Sequence, residues 1–406
     1  MPLLALGDAQ AYVLDAGTAL APRVVPLAEA LGRVAAEPVT ATEAVPPFDN
    51  SAMDGFAVRA ADTREAPVTL PVVGTLAAGD EPTVELRPGQ AMRIMTGAAL
   101  PAGADAVVMV ERTTLVTGGR AVEIEVAVAP GTAWRHAGDD ITPGSEVLEV
   151  GTVIGPAHLG VLASLGIVEI GVFPPVRVGV LSTGDELVSG PAPLRAGQIR
   201  DSNRPMLIAL VRQNGCIAVD LGTVADDEAA ITRSFEEAAA TCDAVITSGG
   251  VSMGDFDLVK VVLDRMGDMR WMQLAIKPAK PFAFGVVNTT PVFGLPGNPV
   301  SSLVSFELLV RPALRRMMGF PARRWFRAIL PAVAGQAFER RPDGKTHYVR
   351  VVATIGDDGR YRVTSAGSQG SHQLSTMAGA NALAVLDDGE GVSAGTDVPI
   401  ILLEAP

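Results

Sequence analysis

The sequence predicts a multidomain α/β protein organised around a central, doubly wound, mostly parallel sheet. Three observations carry that expectation. The chain has 406 residues, more than one hydrophobic core usually holds. Strand-like and helix-like stretches alternate between about residues 174 and 325. Two flanking regions, 46–140 and 326–406, read instead as short strands broken by Gly and Pro. Hydrophobic residues make up 48% and charged residues 19%, which places the chain among folded globular proteins. Aromatics are only 4%, so the cores are expected to be built from Val, Leu, Ala, Ile and Met.

Taken in order, residues 7–36 carry two helical patterns, GDAQAYVLDAG and PLAEALGRVAAEPV. From Pro46 to about residue 140, stretches such as VTLPVVGTL and AVEIEVAVAP mark a β-rich unit of small-domain size. Helical text resumes in PAHLGVLASLG, with Pro156 in the first turn and Gly166 as a stop. The helical segments 1–45 and 141–173 are expected to form one discontinuous, elongated domain into which 46–140 is inserted. After Pro174-Pro175 come VRVGVLST, RPMLIALVRQNG, CIAVDLGTV, DDEAAITRSFEEAAATC, AVITSGG, DLVKVVLDRMG, MRWMQLAI, FAFGVV and VFGLPG. NPVSSLVSFELLVRPALRRMMG reads as a long helix, capped by Asn298, opened by Pro299 and kinked at Pro312. The central domain is expected to span 174–325, and a small C-terminal β domain 326–406, from strands such as THYVRVVATI, RYRVTSAG, ALAVLDD and VPIILLE.

Composition also narrows function. A net charge of −13 without a long basic run argues against a nucleic-acid partner, and an anionic ligand would need a local cluster of Lys, Arg or backbone N–H groups. Cys216 and Cys242 are too few for a disulfide framework, and His136, His158, His347 and His372 are too scattered for a structural zinc site. The N-terminal stretch lacks the basic start and apolar core of a leader, and no run is long and apolar enough to span a bilayer. A soluble, cytoplasmic protein without a membrane partner is expected.

The chemistry-bearing text sits in turns. AVITSGGVSMGDFD (244–257) joins a strand to a helix-like run through Ser248, Gly249 and Gly250, whose backbone can approach a ligand closely. Ser252, Asp255 and Asp257 follow. This is the pattern of a phosphate-and-metal turn, and equally that of a strand-to-helix loop with a capping Asp. Two further turns, STGDEL (182–187) and LPGNPVS (295–301), also follow strands, so a doubly wound sheet would gather all three at one edge. There Ser182, Thr183 and Gly184 could bind a phosphate or a pterin, and Asp185 and Glu186 a divalent cation. IKPAKPF (276–282) holds Lys277 and Lys280 in an extended, proline-stiffened segment, readable as an anion clamp or as a solvated loop. FDNSAMDGFAV, RIMTGAALPAGAD and RHAGDDI in the β-rich unit are polar clusters that surface turns also explain.

SAMDGFA, RIMTG, GDDI, STGDEL, TSGGVSMGDFD, KPAKPF, LPGNPVS and QGSHQLSTMAGAN occur in that order over nearly the whole chain. In this the chain resembles the molybdopterin molybdenumtransferases, bacterial relatives of the gephyrin E domain. The resemblance implies an enzyme of molybdenum cofactor biosynthesis. It would insert molybdate into adenylylated molybdopterin and release AMP, with magnesium (Mg2+) as the cofactor. It implies a homodimer with a shared active site, with the molybdopterin adenylyltransferase and molybdoenzyme maturation proteins as further partners.

By motif, Asp257, Glu186 and Asp227 would be catalytic, with Asp257 and Glu186 on the metal side. Ser248, Gly249, Gly250 and Ser252 would cradle phosphate, and Pro296, Gly297 and Asn298 join Ser182, Thr183 and Gly184 among the substrate-binding residues. Lys277, Lys280, Pro281, Ser301, Arg350 and Ser371 would bind molybdate, whose tetrahedral dianion suits fixed cations and hydroxyls. Asp54, Thr96 and Asp140 would reach the cleft from the partner subunit. Relatives often carry Tyr at Phe56, Lys at Gln273 and Gly at Ala279, which leaves the finer anion-clamp geometry open. The alternatives are a molybdopterin adenylyltransferase, which the central domain alone resembles, and a non-catalytic molybdopterin-binding scaffold.

Overall fold

The computed structural model describes residues 3–250 and 258–403. Its centre is a six-stranded sheet. The strands are β1 (Arg177–Thr183), β2 (Ile217–Val224), β3 (Ala244–Ser248), β4 (Gly267–Gln273), β5 (Pro281–Val287) and β6 (Thr290–Leu295), in the order β2-β1-β3-β6-β5-β4. The first four in that order run parallel, and β5 and β4 add an antiparallel edge.

Helices cover both faces, which is why the strands read as near-continuous apolar runs. Ala244 and Ile246 of β3 point into a core shared with α1 (Leu6–Ala16), α3 (Asn203–Gln213), α6 (Pro299–Ser305) and α7 (Arg311–Met317). The intervening Val245 faces the opposite way, against α4 (Glu228–Thr241) and α5 (Leu258–Met266). The doubly wound expectation holds. The chain passes from β2 over β1 to β3, so the sheet changes winding direction between β1 and β3.

The N-terminal region differs from its reading. PLAEALGRVAAEPV is not a helix: Arg23–Pro26 and Val34–Ala35 are strands on either side of Glu169–Phe173, joined through a short 3-10 turn at Leu27–Glu29. Gly32, at φ 74°, reverses the chain there, and pairing with a ready strand outweighs the helical periodicity. Of the helical text grouped with this region, α2 (Pro156–Ser164) forms as expected. Helix α1 also forms, but its Ala9 and Val13 are buried in the central core instead.

At Phe306–Val310 the long helix widens into a π-turn just before Pro312, the residue expected to kink it. Pro312 brings no N–H to this stretch, and the Gln10 amide of α1 donates to Leu308 O at 2.9 Å. Residues 50–124 contain the expected inserted sheet of six short strands, with Phe56 only 1% exposed in its core. The C-terminal strands Thr346–Ile355, Tyr361–Ser365, Ala382–Leu386 and Asp397–Leu402, with Ile329–Ala334, close into a small barrel. Glu307 ties barrel to centre: it accepts from Arg327 at 2.6 and 3.0 Å, and Arg327 also donates to Leu402 O.

Candidate functional site

Sequence logic places the polar turns after β1, β3 and β6, and the sheet brings all three to its carboxyl edge. Ser182, Thr183 and Glu186 from the first, Ser248 and Gly249 from the second, and Gly297 and Asn298 from the third line one cleft of about 340 Å3. It lies at the winding switch between β1 and β3, where open α/β sheets bind ligands. Two glycines here take φ values that favour glycine, and one of them is also confined by fixed backbone. At Gly249 (φ 97°) a Cβ would stand 3.0 Å from the backbone Thr183 O; at Gly184 the φ of 141° is the stronger demand, since a Cβ there meets only the movable Glu186 carboxylate.

Residues 201–204, at the start of α3, lock these turns together. Asp201 accepts from Ser182 Oγ (3.2 Å), Thr223 Oγ1 (3.2 Å), Arg204 N (3.1 Å) and Arg204 Nε (2.9 Å). Arg204 continues to Asp220, and the bonds from Gly222 N–H and Arg204 hold that carboxyl below its usual range against the opposing effect of burial. Asn203 Nδ2 donates to Ser248 Oγ and to Gly297 O, both at 2.7 Å. Neither Asp201 nor Asn203 stood out in the sequence, because Asp, Ser and Asn before a helix are what any N-terminus uses. His372, which also lines the cleft, was legible only as part of a motif.

Other expected residues sit elsewhere. Asp227 Oδ1 accepts from Ala230 N at 2.8 Å as the N-cap of α4, and Asp227 is absent from the cleft lining. Ser252 and Asp257 lie outside the described residues. Asp54, Thr96 and Asp140 belong to exposed loops of the N-terminal half and do not line this cleft. Asp54 Oδ1 accepts from Thr96 N (2.7 Å) and Thr96 Oγ1 (2.8 Å), and the backbone bond, then the hydroxyl, lowers its pKa. Among the described residues no group of three or more His, Cys, Asp or Glu could hold a metal ion.

The lysine loop opens on a second, larger cavity of about 630 Å3 at the barrel mouth. Ile276–Lys277 pairs in parallel with Thr346–His347 of the barrel, so the loop belongs to both units. It is not extended throughout. Ala279 takes a left-handed φ of 75°, and Leu274 N donates to Lys280 O at 2.7 Å, closing a tight turn. Lys277, Arg340, Arg341, Asp343, His347 and Gln369 are among the lining residues. Arg340 is spent on Asp343, Asp388 and three carbonyls. The Lys345 ammonium, then His347, pull Asp343 down to about 2.

Ser301 is buried at the start of α6, where Val300 N donates to Ser371 O at 3.1 Å. Pro281 opens β5. Arg350 is 1% exposed and Nη2 donates to Ser368 O, while Nε is buried without a partner among the described residues. Burial lowers its pKa. The segment 369–372 joins the two cavities: Gln369 lines the larger and His372 the smaller. Three residues span at most ~11 Å, so the cavities are neighbours.

Three family models match the chain: the MoeA N-terminal region (domain I and II) over residues 4–166, a probable molybdopterin binding domain over 179–316, and the MoeA C-terminal region (domain IV) over 332–403. The chain is 41% identical over 375 residues to the molybdopterin molybdenumtransferase of Haemophilus influenzae, covering 92% of each. It is also 41% identical over 402 residues to molybdopterin molybdenumtransferase 2 of Mycobacterium tuberculosis, covering 96% of this chain and 97% of the relative. The solved molybdopterin biosynthesis MoeA protein of Pyrococcus horikoshii OT3 superposes with a TM-score of 0.82 at 30% identity, covering 99% of this chain and all of that one.

Proposed function

The chain belongs to the molybdopterin molybdenumtransferase family, and on that premise we propose that it inserts molybdate into adenylylated molybdopterin and releases AMP. It is a transferase of molybdenum cofactor biosynthesis. The single observation that carries the finer reading is the adjacency of two unlike cavities. One is a cleft of glycine backbone and hydroxyls at a sheet edge, suited to a phosphoanhydride. The other is a basic cavity suited to an oxyanion. The adjacency also favours this reading over the smaller adenylyltransferase, because the basic cavity needs the barrel.

In this reading Ser248 and Gly249 hold phosphate, and Lys277 holds molybdate with Lys280, Pro281, Ser301, Arg350 and Ser371; of these six Lys277 lines the basic cavity and the other five do not. Magnesium fits the donor set, since it takes one or two carboxylates with substrate oxygens and water, and Glu186 is the described carboxylate facing the cleft without a side-chain partner of its own. When bound it would neutralise charge on the phosphates. Asp257 is the second expected ligand. Asp54, Thr96 and Asp140 complete the site from a second subunit of a homodimer, a reading supported by their absence from the cleft of their own chain. Among the described residues no helix is long and apolar enough to cross a membrane, which accords with a cytoplasmic enzyme.

The test is AMP release from adenylylated molybdopterin, with molybdate and magnesium each present or omitted. Release that needs both, matched by cofactor formed, is the expected result. Failure of molybdate to cause either would overturn the reading. Asp257→Ala should abolish release while gel filtration still gives a folded dimer.

A further inference from the structure

The cleft presents two hydroxyls of opposite hydrogen-bonding sense. Asn203 Nδ2 lies 2.7 Å from Gly297 O, which can only accept, so the amide is oriented with its NH2 group toward both partners. One of its protons goes to Gly297 O and the other to Ser248 Oγ. Ser248 therefore accepts inside the protein, and among the described residues nothing takes its own proton, which is free for a ligand. Ser182 is the reverse. Its Oγ donates to Asp201 Oδ1 at 3.2 Å, and Asp201 receives three more donors: Arg204 N, Arg204 Nε and Thr223 Oγ1. Four donors fill the four lone-pair sites of that carboxylate. The Ser182 proton is committed, and what Ser182 can still offer is a lone pair. The full shell of Asp201 also removes it as a cation ligand.

We propose that the cleft is split by polarity. The Ser248 side donates to phosphate oxygens, and the Ser182 side accepts from a ligand donor: a ribose hydroxyl, an amino group or metal-bound water. Asn203 and Asp201 are the positioning residues that set the two senses. This rests on the substrate reading above, and of the phosphate or pterin expected at Ser182 it excludes the phosphate. Both hydroxyls are nearly buried, at 1% and 3% exposure, so neither can reorient through solvent.

The experiment is calorimetric titration of the full chain with AMP and with adenosine, read as the ratio of the two affinities, which isolates the phosphate. Ser248→Ala should lower that ratio about tenfold, the worth of a hydrogen bond to a charged group. Ser248→Thr, which keeps a hydroxyl, should restore it. Asn203→Asp places an acceptor opposite Ser248, turns its proton inward and should lower the ratio as Ser248→Ala does. Ser182→Ala should leave the ratio, measured without magnesium, unchanged. If it lowers adenosine affinity, its partner is on the nucleoside; if it alters only the magnesium dependence of AMP binding, its partner is metal-bound water. Equal loss of ratio in Ser182→Ala and Ser248→Ala overturns the split while the substrate reading stands. A wild type with no preference for AMP overturns both. If Asn203→Asp does not fold, the two serine variants decide.

Discussion

The cleft over the central sheet and the cavity at the barrel mouth treat charge in opposite ways. The cleft has few charged side chains in its lining and relies on glycine backbone, hydroxyls and an amide, each oriented by a second residue such as Asn203 or Asp201. The barrel-mouth cavity is crowded with Lys, Arg and His, and much of that charge is answered internally, as Arg340 and Asp343 answer each other at 2.9 Å. Fixed dipoles favour a ligand that must be oriented, such as an anhydride. A partly neutralised basic cavity suits a compact anion that must enter and leave. The cleft is built on the central unit with His372 reaching in from the C-terminal region, whereas most of the cavity's lining belongs to the barrel, with Lys277 and Pro278 from the centre.

That difference can be broken at the joint. Glu307 is 4% exposed and pairs with Arg327, with Arg311 at 3.9 Å and pushed down by burial to about 10. Glu307→Ala leaves two guanidinium groups without their carboxylate and should cost ~3–5 kcal/mol in urea unfolding. In the surviving folded fraction, molybdate-dependent turnover should fall far more than AMP binding. Equal losses would mean that the two cavities are one site.

Gly249→Ala attacks the other side. A side chain at φ 97° facing Thr183 O at 3.0 Å should cost ~1–2 kcal/mol and reduce AMP affinity, by thermal melt and calorimetry respectively. Asp227 then sharpens where the cleft ends. As an N-cap its loss in Asp227→Ala should cost about 1 kcal/mol, and Asp227→Asn, which keeps an oxygen for Ala230 N–H, should cost only a few tenths. Turnover lost in the stable Asn variant would be the signature of a ligand on the remaining oxygen.

The smallest effect is expected from pH at the barrel mouth. Burial, the leading cause, lowers the His347 pKa below 6.5, so the unfolded chain binds the proton more readily. Stability from this group is therefore full above 6.5 and is lost as pH falls through its folded value. Asp343, held at about 2, stays charged over that range and adds nothing there. His347→Gln should flatten the curve of unfolding midpoint against pH in that window, with no change above it.

How far the sequence could be read depended on the range of the interaction. β1, β3 and α3 to α5 were legible because burial on both faces leaves long apolar runs that local text reports directly. PLAEALGRVAAEPV was misread because its helical period competes with a strand more than a hundred residues away, and a distant partner leaves no local mark. The short Ile329–Ala334 strand was missed for the same reason: it is defined by pairing with Asp397–Leu402 and Tyr361–Ser365. At the site, glycines and hydroxyls after strands announced the cleft, whereas Asp201 and Asn203 were hidden among residues that would equally cap a helix.

Sequence alone thus determined the α/β class, the three turns after parallel strands and, through its ordered motifs, the family. The class and the turns are properties of local composition and spacing, and the family is a resemblance carried by the motifs themselves; all survive without coordinates. Tertiary structure decided that α1 joins the central core, that the lysine loop bridges to the barrel, and that Ser182 donates and Ser248 accepts within the protein. The physical reason lies in the hydrogen bond: whether a serine gives or takes is set by the neighbour that reaches it first, and here that neighbour lies 19 residues away for one serine and 45 for the other.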